Sequence, residues 1–170
     1  MGEDERSDTV SLGELVAAES VLVGRPLADD ASAIVALGDL LVEAGATSAD
    51  YAAACIARER TDPTGLPAAL GVAIPHGDPS LVRSPAVAVA VPPEPVTFRQ
   101  MGDPDVTVAA HVIFLLAVQS GAAQLRALRE VAALVQDEGR LRSIVAARTP
   151  EDVLAVVRQA DEDVVEEVAG

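Results

Sequence analysis

The chain has 170 residues, half of them apolar, with 23% charged and only 2% aromatic. That composition suits one core of Ala, Val, Leu and Ile and offers little for stacking on bases. A net charge of −15, from 27 acidic and 12 basic residues, argues against nucleic acid or an anionic membrane surface as a partner, because both attract cationic footprints.

In chain order, residues 1–9 carry Glu3, Asp4, Glu5 and Asp8 and read as an acidic, solvated tail without the character of a leader. A helix is expected where Ile34, Leu37, Leu40, Leu41 and Ala44 recur at helical spacing, capped by Asp29 or Asp30 and stopped by Gly45. Ser48 caps a second helix through Tyr51, Cys55 and Ile56 to about Arg60, where Thr61, Asp62 and Pro63 break it. The period then changes. Residues 71–74, 86–91 and 106–118 are β-branched or continuously apolar, with Pro- and Gly-containing turns between them, as buried strands are. Helical spacing returns in Leu125, Leu128, Val131, Ala132 and Val135, and again in Leu141, Ile144 and Val145. Thr149-Pro150-Glu151-Asp152 opens a last helix, with a capping hydroxyl, a proline in the first turn and an acid three residues after the cap. Residues 161–170 read as a second acidic tail. Helices, then strands, then helices give an α/β class: a mixed β-sheet flanked by helices, one domain over 10–160. No apolar run reaches the length of a membrane span, and a cytoplasmic protein without membrane insertion is expected.

Few residues can carry chemistry. In Gly71-Val-Ala-Ile-Pro-His-Gly-Asp-Pro79, Pro75 keeps Ile74 extended while Gly77 and Pro79 stop regular structure, so His76 is presented at a strand end, where α/β folds meet ligands. Its imidazole reads either as a nucleophile or proton-transfer group or as a turn histidine satisfied by backbone. His111 alternates onto the face of Thr107, Ala109, Ile113 and Leu115, as a sheet histidine with a hydrogen-bond partner. Cys55, the single cysteine, lies on a predicted helix; a Cys-x5-Arg loop would need arginine where Thr61 stands, so it reads as buried filler. Neither metal nor cofactor is expected, because a metal-dependent hydrolase built on His76, Asp78 and His111 would need a tighter cluster.

The run Arg58-Glu59-Arg60-Thr61-Asp62-Pro63-Thr64-Gly65, followed by Ala73-Ile74-Pro75-His76, resembles the R-E … P-T-G … A-I-P-H signature of enzyme IIA domains. These form the fructose/mannitol superfamily of the phosphoenolpyruvate:sugar phosphotransferase system. Asp78-Pro79 and Pro95-Val-Thr-Phe-Arg-Gln-Met-Gly102 extend the likeness, nearer to galactitol-type than to mannitol-type members, as do Val112-Ile-Phe-Leu-Leu-Ala117 and the helices after it. Residues 10–158 are covered.

The resemblance implies the enzyme IIA mannitol/fructose-type sandwich. It also implies that His76 accepts a phosphoryl group from phosphorylated HPr and gives it to a cysteine of a cognate enzyme IIB, serving a membrane enzyme IIC indirectly during uptake of a sugar or sugar alcohol. Such transfer needs positioning and stabilisation of charge on the equatorial oxygens. Arg58, with its planar fork of donors, is then the phosphate-stabilising residue, the alternative being a solvated arginine at a helix end. Thr64 either turns its hydroxyl and the neighbouring N–H groups to the phosphoryl oxygens or serves only the turn. Glu59 orients Arg58 or His76, or is a solvated charge. Many relatives carry a second active-site histidine at the start of the helix after the long strand; the aligned position here is Ala122, and Gln119 or Ser120 is the candidate to supply a hydrogen bond instead. The alternative to transport is a regulatory IIA-like module of the nitrogen-regulatory type, acting by phosphorylation-dependent protein binding.

Overall fold

A short helix, α1 (Leu12–Leu15), and a 3-10 turn lead into β1 (Val21–Val23) in the computed structural model, which describes residues 10–170. The tail expected over residues 1–9 lies outside the described residues. Helix α2 (Asp30–Glu43) starts where its cap requires: the Asp29 carboxylate accepts from Ser32 N–H at 2.7 Å. Gly45 ends it with φ at 74°, a left-handed conformation that costs glycine little. In front of α3 (Tyr51–Thr61), Ser48 accepts from Tyr51 N–H through its carbonyl and from Asp50 N–H through its hydroxyl. The strands β2 (Gly65–Leu66), β3 (Gly71–Ala73), β4 (Ala86–Val91), β5 (Val96–Gln100) and β6 (Asp103–Ala117) follow. Helices α4 (Gly121–Gln136), α5 (Glu138–Val145) and α6 (Pro150–Ala169) complete the fold, the last with the full capping box of Thr149 and Asp152.

The sheet runs β1-β4-β6-β3-β2-β5, and β5 also pairs with β6. It is mixed, as expected: β1 is parallel to β4 and β3 to β6, whereas β4 and β5 are antiparallel to β6. The strands β1, β2 and β5 add to the three that the sequence predicts.

Alternation sets the layers. Along β4, Ala88 and Ala90 join a core with Ile34, Leu37 and Leu41 of α2 and with Tyr51 and Cys55 of α3. On the other face Val87, Val89 and Val91 pack with Val131 and Leu134 of α4, Leu141 and Ile144 of α5, and Val153 and Val157 of α6. The result is helices, sheet, helices, with Ala88 and Ala90 of β4 beside the larger Phe98, Ile113 and Leu115 on the face that α2 and α3 cover.

Two expectations are corrected here. Ala110 pairs with Gly71 but Val112 pairs with Val72, so His111 is an extra residue opposite β3, and this bulge breaks the alternation on which its expected face rested. Thr107 and Ala109 are exposed while Ile113 and Leu115 are buried, and the half-buried His111 ring forms no hydrogen bond among the described residues. Residues 161–170 are not a tail: α6 continues to Ala169. Two of its acidic side chains have specific partners: Asp161 accepts from Gly13 N–H at 2.8 Å, and Asp163 pairs with Arg140 and accepts from Gln159. Among the described residues no helix is long and apolar enough to cross a membrane.

Candidate active site

At the C-terminal end of α3, Asp62 N–H still reaches Arg58 O at 2.7 Å, and Pro63 then turns the chain toward β2. Glu59, on the inner side of this last turn, is only 4% exposed. Its carboxylate accepts from Thr64 N–H at 2.8 Å and from the Thr64 hydroxyl at 2.7 Å. Glu59 therefore orients Thr64 rather than Arg58 or His76, and both donors of Thr64 point to Glu59. Burial pushes the Glu59 carboxyl above the usual carboxylate range, and the bonds from Thr64 oppose that rise. Arg99 of β5 donates to the carbonyls of Glu59 and Arg60, fastening the helix end to the sheet.

His76 reaches the same place from β3. Leu116 N–H donates to Pro75 O at 3.0 Å, so the chain continues along β6 past the last residue of β3 and pairs His76 with Leu116. The ring Nδ1 lies 2.8 Å from Ile74 O. A carbonyl only accepts, so Nδ1 carries the proton and Nε2 keeps its lone pair. His76 is 5% exposed. Burial first, and the Arg58 charge in addition, hold the imidazole below its ordinary value; the Ile74 bond and Asp62 act in the opposite direction.

The loop is braced from beneath. Tyr51 donates its hydroxyl proton to Leu116 O and accepts from Gly77 N–H at 3.2 Å. Its burial pushes the phenol far up, so it stays a donor at all ordinary pH. Gly77 lies against α3 so closely that a Cβ there would sit 2.9 Å from Cys55 Sγ. Burial pushes the Cys55 thiol up to about 12, which fits a packing role.

These segments border a cavity of about 380 Å³, lined by Arg58, Thr61, Asp62, Pro63 and Thr64, by His76, by Met101 and Gly102 of the turn between β5 and β6, by Pro104 at the start of β6, and by Gln124 and Leu128 of α4. Gly102 makes that turn with φ at 78°. The Arg58 guanidinium forms no ion pair with a described carboxylate, so its charge remains available to an anion. A neutral imidazole nitrogen beside a guanidinium suits attack on an anionic, activated phosphorus.

The family model of the phosphoenolpyruvate-dependent sugar phosphotransferase system, EIIA 2, matches residues 14–160. The chain belongs to that family. The fructose-specific EIIABC component of Bacillus subtilis (strain 168) is 28% identical over 114 residues, which cover 65% of this chain and 17% of that protein. The provisionally assigned PTS IIA (PtxA) of Streptococcus mutans superposes with a TM-score of 0.76 at 26% identity, over 90% of this chain and 96% of its own. For the nitrogen regulatory protein IIA-Ntr of Neisseria meningitidis the values are 0.68 and 26%, over 85% and 97%. The IIAMtl chain in the Escherichia coli complex with phosphorylated IIBMtl has the same fold, with a TM-score of 0.70 at 24% identity over 84% and 96%.

Within this EIIA domain, the expected site residues divide. His76, Arg58 and Thr64 meet at one cavity, and Glu59 stands behind Thr64. Gln119 and Ser120 do not line it: Gln119 donates to the carbonyls of Val82 and Arg83, and Ser120 caps α4 by accepting from Ala123 N–H. Ala122 is exposed and Gln124, two residues on, lines the cavity, because Gln124 and Leu128, four residues apart, share the helix face that meets it. The hydrolase trio is not gathered: Asp78 caps a 3-10 turn through Ser80 N–H, His111 sits in its bulge, and no metal-ligating group is found among the described residues. Sequence reasoning missed Gln124, Arg99 and Tyr51. Only Tyr51 left a signal, as a buried aromatic whose hydroxyl must find partners.

Proposed function

We propose that this chain is a phosphohistidine carrier of a sugar phosphotransferase system, in which His76 Nε2 accepts a phosphoryl group from phosphorylated HPr and passes it to a cysteine of a cognate enzyme IIB. The observation that carries this reading is the 2.8 Å contact between Nδ1 and Ile74 O, which leaves Nε2 as the free nucleophile in a cavity shared with Arg58. An N–P bond forms as the bond from phosphorus to the donor breaks, and Arg58 meets the charge on the equatorial oxygens. The reverse exchange follows when a thiolate of IIB attacks the same phosphorus. The mannitol IIA domain seen with phosphorylated IIBMtl supports a IIB partner, and the fructose-specific EIIABC relative supports a part in sugar uptake through a IIC component.

Intact mass after incubation with phosphoenolpyruvate, enzyme I and HPr tests the acceptor. Wild type and His111→Ala are expected to gain one acid-labile phosphoryl group and His76→Ala none; labelling of His76→Ala would overturn the assignment. The likeness to a nitrogen regulatory IIA supports a second reading, phosphorylation-dependent protein binding. It takes over if the labelled chain transfers to no IIB.

A further inference from the structure

Thr64 N–H lies 2.8 Å from Glu59 Oε1 and the Thr64 hydroxyl 2.7 Å from Oε2. A hydroxyl has one proton, and a carboxylate only accepts. While Glu59 is ionised, that proton points to Oε2, and Thr64 offers the cavity only oxygen lone pairs. A phosphoryl group on His76 would meet an acceptor where it needs a donor, since both residues line one cavity. A proton on Glu59 reverses the arrangement. The carboxyl O–H then donates to Thr64 Oγ1, and the Thr64 hydroxyl is free to turn to a phosphoryl oxygen.

The surroundings act on this balance from both sides. Burial of Glu59 and the Asp30 carboxylate at the start of α2 favour the neutral carboxyl; the two bonds from Thr64 and the Arg99 guanidinium of β5 favour the carboxylate. A phosphoryl group adds negative charge to the same cavity. Resting on the phosphohistidine reading, we propose that Glu59 and Thr64 form a proton-coupled pair. Phosphorylation of His76 brings one proton from solvent onto Glu59, and that proton converts Thr64 from an acceptor into a donor to the phosphoryl group. When the phosphoryl group leaves for its acceptor, the proton returns to solvent and the Thr64 hydroxyl turns back to Glu59. The occupancy of phosphohistidine then rises as pH falls.

The test is a carboxyl carbon NMR titration of Glu59 in the full chain, assigned with Glu59→Gln, before and after phosphorylation by phosphoenolpyruvate, enzyme I and HPr. The pH range is the weakly acidic to neutral one in which phosphohistidine survives. The midpoint is expected to rise on phosphorylation by about one pH unit or more, a tenfold change in proton affinity. Thr64→Ser is expected to rise as wild type does and Thr64→Val distinctly less. An unchanged midpoint in labelled wild type overturns the coupling, and so does an equal rise in Thr64→Val, which would mark plain charge repulsion. Absence of any label overturns the phosphohistidine reading itself, which separates the two failures.

Discussion

An imidazole attacks phosphorus only while a ring nitrogen has a free lone pair, and in His76 burial and one backbone carbonyl secure both the neutral form and the choice of atom. The folded-state value lies below the ordinary 6.5, so the contribution of the neutral imidazole to stability is full above 6.5 and is lost as pH falls from there through the lower folded-state value. A proton NMR titration of the two histidines, assigned with His111→Gln, is expected to place the His76 midpoint below 6.5, and the rate of phosphoryl acceptance, read by intact mass, is expected to fall with that same midpoint. A midpoint at or above that value would contradict the burial argument. The presentation of His76 was legible because Pro75, Gly77 and Pro79 act locally on the backbone. The partner of Glu59 was not, because its carboxylate reaches across the break at Pro63 to Thr64, and the chain path through a break is not written in residue types.

At the scale of elements, the site is a junction of α3, the loop after β3 and the end of β6, held by Tyr51 and by the absence of a side chain at Gly77. Tyr51→Phe leaves Gly77 N–H and Leu116 O without this partner and is expected to cost about 1–3 kcal/mol in urea unfolding. Gly77→Ala puts a methyl 2.9 Å from Cys55 Sγ and 3.1 Å from Cys55 N, with an expected cost of about 1–3 kcal/mol, and both variants should accept phosphate more slowly. Losses under about 0.5 kcal/mol in both would show that the junction does not depend on these contacts. The caps of α2 and α6 were legible since Asp29 and Thr149 act within one turn. Strands β1 and β2, three and two residues long, give no period to read. The bulge at His111 depends on its pairing with β3, and the helical end of α6 on Asp161 meeting Gly13, 148 residues away in sequence.

For the whole molecule, the charge of −15 leaves acidic groups repelling one another over the surface. Raising NaCl from about 0.05 to 0.5 M should therefore raise the melting temperature, because screening relieves this repulsion before it weakens the few ion pairs. A melting temperature that falls with salt would mean that pairs such as Arg140 with Asp163 outweigh it. The same acidity offers an electrostatic complement to a basic face on a phosphoryl donor or acceptor. Every step of the proposed exchange begins from one atom, and the position of phosphorus on the His76 ring tests it most directly. In chain labelled with nitrogen-15 and phosphorylated through HPr, phosphorus–nitrogen correlation is expected to place the phosphoryl group on Nε2, with Nδ1 still protonated toward Ile74 O. A phosphoryl group on Nδ1 would require the 2.8 Å contact to break and would contradict the account.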